Sequence, residues 1–145
     1  MNASHRVRMV LAAAMSVAAL VSAGCAGMSH DHRLNVVLNG SEEVPSVVTS
    51  ARGGGTITVG ADRSVSGSVS TTGLNAIAAH IHQGARGQNG PILIGLVKGG
   101  ESVWSVPAGA RLTDAQYDAF KAGHLYVNVH TAAHKGGEIR GQLNP

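Results

Sequence analysis

Ser64-Val65-Ser66-Gly67-Ser68-Val69-Ser70 alternates serine with valine or glycine, without a break. A period of two puts Val65, Gly67 and Val69 on one side of an extended chain and the serines on the other. That is the pattern of a strand with one face buried. The same period extends both ways from this stretch. Leu34 to Leu38 and Gly55 to Val59 precede it, and Ala76 to His82 follows. Ile92 to Val97 is apolar almost throughout, which predicts a more deeply buried strand. Val103 to Val106, Leu125 to Thr131 and Glu138 to Leu143 bring the number to about eight. Glycine clusters at Gly53–Gly55, Gly99-Gly100 and Gly136-Gly137 separate the segments. Short strands so spaced predict an all-β domain, an antiparallel β-sandwich or Greek-key barrel.

One segment breaks the period. In Leu112-Thr113-Asp114-Ala115-Gln116-Tyr117, Thr113 is an N-cap and Gln116 stands at N3, which makes a capping box. Gly123 suits the position after the last turn. A short crossover helix over about 113–122 is predicted, with a structural role.

The start of the chain reads as an address. Arg6 and Arg8 precede Met9 to Ala23, a 15-residue apolar run broken only by Ser16 and Ser22. A membrane-spanning helix needs roughly 20 such residues, so the run is read as a secretory signal. It ends Leu20-Val21-Ser22-Ala23-Gly24-Cys25, which resembles a bacterial lipobox with Cys25 as the lipidated residue. Ordinary cleavage would instead leave a free thiol, and either route exports the protein. The expected organisation is a signal peptide over 1–24, Cys25 as first mature residue, a polar tether over 25–33 and a β domain over 34–145. The expected location is the periplasm, outer membrane or cell surface, with a lipid at Cys25 as the only membrane attachment.

Charge and composition exclude several classes. The net charge is +3, but loss of Arg6 and Arg8 leaves nine basic against eight acidic residues. Aromatic residues make up 3% of the chain, too few for a base-stacking platform, so no nucleic-acid partner is expected. A single cysteine rules out an internal disulfide and cysteine-rich metal sites. No serine occupies a Gly-x-Ser-x-Gly elbow, and no catalytic residue is nominated.

Eight histidines remain to be explained. Strand parity puts Ala79 and Ile81 on one face and His80 and His82 on the other. In the same way Tyr126, Asn128 and His130 oppose Leu125, Val127 and Val129, and Glu138, Arg140 and Gln142 oppose Ile139 and Leu143. Imidazoles two residues apart on a strand start about 6.5–7 Å apart at the backbone. Both rings can then reach one ion at ~2.0–2.1 Å. A third imidazole, His130, would complete a three-histidine site suited to copper or zinc. Glu43 or His134 could add a ligand. Tyr126, Asn128, Glu138 and Arg140 are candidates to orient the rings. A solvated, hydrogen-bonded histidine face is the plainer alternative. His124 belongs with the helix end, and His30 and His32 with the tether.

These motifs also carry a resemblance. Leu38-Asn39-Gly40-Ser41-Glu42-Glu43-Val44-Pro45, Ala79 to Gly84 with Asn89-Gly90-Pro91, Gly123 to Thr131 and Gly136 to Leu143 together resemble the CHRD domain family, named for the repeats of chordin. The resemblance spans Leu34 to Leu143. It departs at His124, where the family commonly has Asn, and at Ser46, where a second Pro is common. It implies an exported β module of sandwich or Greek-key type and fixes no activity. His-x-His on a small Greek-key protein is also similar to copper,zinc superoxide dismutase, but the cysteine pair and a histidine-bearing zinc loop are missing. Three functions stay open: a non-catalytic copper or zinc module, an envelope module that is structural or binds a protein, and a copper-dependent redox enzyme.

Overall fold

The computed structural model describes residues 30–145, so the expected signal peptide and Cys25 lie outside the described residues. Nine strands form: β1 (His32–Asn39), β2 (Arg52–Val59), β3 (Val65–Thr72), β4 (Ala76–Gln83), β5 (Ile92–Gly95), β6 (Val97–Lys98), β7 (Val103–Ser105), β8 (Leu125–Thr131) and β9 (Ile139–Leu143). Every pairing is antiparallel. The lateral order is β5-β4-β8-β9-β1-β2-β3-β7-β6. All nine strands belong to one sheet, in which β9 and β1 meet at a single register pair, Asn39 with Arg140. β9 can approach β1 there because Gly141 has no side chain; a Cβ would sit 2.3 Å from the Val37 carbonyl oxygen.

The all-β expectation holds, with one strand more than counted. The run from Ile92 to Val97 is not a single deeply buried strand. It divides at Leu96, whose N–H donates to the Ala79 carbonyl at 2.9 Å and whose side chain is buried. Residues before the break pair with β4, and those after it pair with β7. Ile92 and Val97 are each 55% exposed, because the segment runs from one edge of the sheet to the other with one face outward. Two residues expected in the tether belong to β1. His32 and Arg33 pair with Val59 and Thr58 in β1, and the His32 ring meets Phe120 edge-on at 5.3 Å.

The helix α1 (Asp114–Lys121) follows the capping-box reading: the Gln116 N–H donates to the Thr113 hydroxyl, and the Thr113 N–H to the Gln116 amide oxygen. It seats Phe120 in the core beside Leu112, Ile57, Val59 and Leu125 among other apolar residues. β8 and β9 are buried along their whole length, on both faces. One face meets this core. Over the polar face fold the chain after a short 3₁₀ turn (Gly40–Glu42), the β4–β5 loop and the β8–β9 turn. Gln142 Nε2 donates to the Gly84 and Gly123 carbonyls at 2.9 and 2.8 Å, and Asn89 ties the first two loops through the Val44 carbonyl at 2.7 Å.

Candidate metal centre

β4 and β8 lie side by side, so the strand supplying His-x-His is next to the strand supplying His130. In their register His82 faces Tyr126, His80 faces Asn128 and Ala78 faces His130. His130 is thus the diagonal neighbour of His80, within reach for ring side chains. The ring centroids are 4.8 Å apart for His80–His130, 5.5 Å for His80–His82 and 5.8 Å for His82–His130. One nitrogen from each ring lies within 4.8 Å of the other two. The β4–β5 register slips between Ile81 and His82, an irregularity of the kind that re-aims a side chain.

Two backbone carbonyls determine the tautomers. His82 Nδ1 is 3.0 Å from the Gly90 oxygen, and His130 Nδ1 is 2.9 Å from the Lys135 oxygen. A carbonyl only accepts, so both Nδ1 atoms carry hydrogen and both Nε2 atoms present a lone pair. His130 Nε2 is 2.9 Å from His80 Nδ1, which donates to it. His82 Nε2 is buried and has no hydrogen-bond partner. Burial holds all three imidazoles below their usual pKa, and for His80 the neighbouring His130 and His82 add to the effect. Neutral rings with directed lone pairs are what a metal ion requires. Nitrogens around a tetrahedral ion at ~2.0–2.1 Å stand about 3.3 Å apart, so the trio can hold one after small ring rotations.

The residues expected to orient the rings act at different removes. Tyr126 stacks on His82, and its hydroxyl accepts the Gly90 N–H at 3.1 Å, so it fixes both the ring and the loop that holds the ring. Arg140, only 1% exposed, lies over the Tyr126 ring and donates to Asn89 Oδ1, the Ala85 carbonyl and Gln142 Oε1. Asn128 donates to the Gly136 carbonyl at 3.3 Å, one residue beyond the carbonyl that holds His130. Glu138 makes no hydrogen bond to a histidine among the described residues. Its two oxygens accept the Thr49 and Thr131 hydroxyls at 2.8 Å each.

The structure does not bring the two additional ligand candidates to the cluster. Glu43 is buried against Asn128, with its Oε2 3.4 Å from Asn128 Nδ2. The strand pairing keeps it there, because the segment after Asn39 crosses β9 and meets β8 at Asn128. His134 lies in the β8–β9 turn; its backbone N–H donates to the Thr131 hydroxyl. His124 is exposed, as its place after the helix allows. Sequence reasoning gave no role to Asn89 and Gly90, which it placed in a motif, and did not single out Lys135; Gly90 and Lys135 act through backbone carbonyls that side-chain patterns do not reveal.

A family model described as CHRD domain matches residues 34–143. The chain belongs to the CHRD domain family. No curated protein and no solved structure matches it. The four motifs quoted from the sequence supply the histidine cluster of this CHRD domain and the residues around it. The first delivers Glu43, the second His80, His82 and Gly90, the third Asn128 and His130, and the fourth Glu138 and Arg140.

Proposed function

We propose that this CHRD domain is a non-catalytic module that binds one copper or zinc ion through His80, His82 and His130. The observation that carries the reading is the buried, unpartnered Nε2 of His82, on a ring clustered with two further imidazoles. An orphaned buried acceptor is costly, about 1–3 kcal/mol, and a bound cation would remove that cost. On binding, His80 would exchange its Nδ1 hydrogen for one on Nε2, and His82 and His130 would bind through nitrogens already free of hydrogen. An all-imidazole set favours copper or zinc over calcium or magnesium. The apolar start of the chain supports action outside the cytoplasm, with Cys25 as a lipid anchor.

Titration of untagged protein with zinc and copper, beside the His80→Ala/His82→Ala/His130→Ala variant, tests the site. One ion per chain in the wild type and none in the variant is the expected result. Equal binding by both would end the metal reading and leave an envelope interaction module. Incorporation of labelled fatty acid by wild type, and none by Cys25→Ser, tests the anchor.

A further inference from the structure

Two other buried oxygens have no partner: Oε1 of Glu43 and Oδ1 of Asn128. Glu43 is 6% exposed and Asn128 1%, so bulk water does not satisfy them. The two side chains already touch through Asn128 Nδ2 and Glu43 Oε2. Both orphaned oxygens also bound one gap: a Cβ on Gly137 would lie 2.2 Å from Asn128 Oδ1 and 2.5 Å from Glu43 Oε1. If Glu43 were a carboxylate, two acceptors would converge there with no hydrogen between them.

We infer that Glu43 is a neutral carboxylic acid whose Oε1–H donates to Asn128 Oδ1. Together with the Asn128 Nδ2–H donated to Oε2, this closes an eight-membered acid–amide ring. Every polar atom of the pair is then satisfied, which neither an ionised Glu43 nor a rotated Asn128 amide achieves.

The charges around Glu43 decide whether it keeps the hydrogen. Arg140 approaches from β9 and favours the carboxylate, but its guanidinium hydrogen-bonds Asn89, Ala85 and Gln142 rather than Glu43. Glu42 is adjacent in the chain and paired with Arg86. His134 and Lys135 line a cleft of about 270 Å³ alongside Glu43. Glu138 is occupied by its two threonines. Burial outweighs Arg140 and pushes the Glu43 carboxyl up to about 7.

The ring makes Glu43 a positioning residue. It fixes the Asn128 amide, Asn128 holds the Gly136 carbonyl, and the adjoining Lys135 carbonyl holds the Nδ1 hydrogen of His130. The consequence for binding rests on the metal reading above; the acid itself does not.

Infrared spectra of the full chain against Glu43→Gln across roughly pH 5 to 9 test the acid. A protonated-carboxyl band at pH 6, missing in Glu43→Gln and fading as pH passes about 7, is expected. Carboxyl-carbon NMR of wild type alone reads the same titration. No band and no such titration at any pH would overturn the inference. With zinc as probe, Glu43→Gln replaces O–H by N–H, keeps the ring and binds within about threefold of wild type. Glu43→Ala weakens binding at least about tenfold. Equal weakening by both variants would overturn the positioning role. A carboxyl band in a protein that binds no zinc or copper would uphold the acid and sink the metal reading alone.

Discussion

The imidazole of His82 lies flat on the phenol ring of Tyr126, 4.9 Å between centroids and 9° from parallel. Because β4 and β9 flank β8, Arg140 reaches the same ring from the other side, its guanidinium carbon 3.4 Å from the centroid. A candidate ligand, an aromatic spacer and a buried cation form one stack.

That stack separates two jobs of Tyr126. Tyr126→Phe keeps the ring contacts and loses the acceptor for the Gly90 N–H, at an expected cost of about 1 kcal/mol. Tyr126→Leu loses the stack as well and should cost about 3 kcal/mol, since a buried aromatic and its cation contact go together. Urea unfolding measures both, and equal losses would show that the stack contributes little.

Metal removal gives the second prediction. At 100 times the dissociation constant, bound ion should add about 2.7 kcal/mol to stability. Zinc or copper should raise Tm in wild type, a chelator should reverse the gain, and His82→Ala should abolish it. A gain that persists in His82→Ala would place the ion elsewhere.

Stability should depend on pH through two opposed groups. Folded Glu43 holds its hydrogen up to about 7, whereas the unfolded value is 4.5. The folded chain therefore binds more protons in that window. Stability contributed by Glu43 is full below 4.5 and falls as pH rises to 7, by about 3 kcal/mol in all. The histidines run the other way. Their folded values lie below 6.5, so the unfolded chain binds more protons and stability is lost as pH drops below 6.5. Glu43→Gln should leave only the histidine arm, with stability rising from pH 5 to 7. Denaturation midpoints across pH check this, and a Glu43→Gln curve parallel to wild type would refute it.

Adjacent glycines provide a matched pair. Gly137 has φ of 131° and no space for a Cβ beside Asn128 and Glu43, whereas Gly136 has nothing within 4 Å. Gly137→Ala should cost 2 kcal/mol or more by strain and clash together, roughly, and weaken zinc binding. Gly136→Ala should stay within about 0.5 kcal/mol of wild type. Calorimetry of the two variants distinguishes local crowding from general sensitivity of the turn.

Much of the site could be read from alternation alone. Parity placed His80, His82 and His130 on the side of their strands away from Ile81 and Val129, and the structure agrees. What parity does not contain is cover. A residue pointing away from the core is ordinarily solvated, yet Arg140 and Asn128 are as buried as Val127, because loops distant in sequence fold over them. Glu43 was legible as a polar residue near the site, but its role depends on a contact with Asn128 85 positions along the chain. The break at Leu96 is hidden for a related reason: an apolar run looks the same whether it forms one strand or spans from one sheet edge to the other.

That crossing segment has a consequence for self-association. The two edge strands of the sheet are its two halves, four and two residues long. A second polypeptide that tried to extend the sheet at either edge would find too little free backbone to hold a ladder. Contact with another molecule falls instead to side chains and loop tips, and many copies of this domain could crowd together without one templating the next.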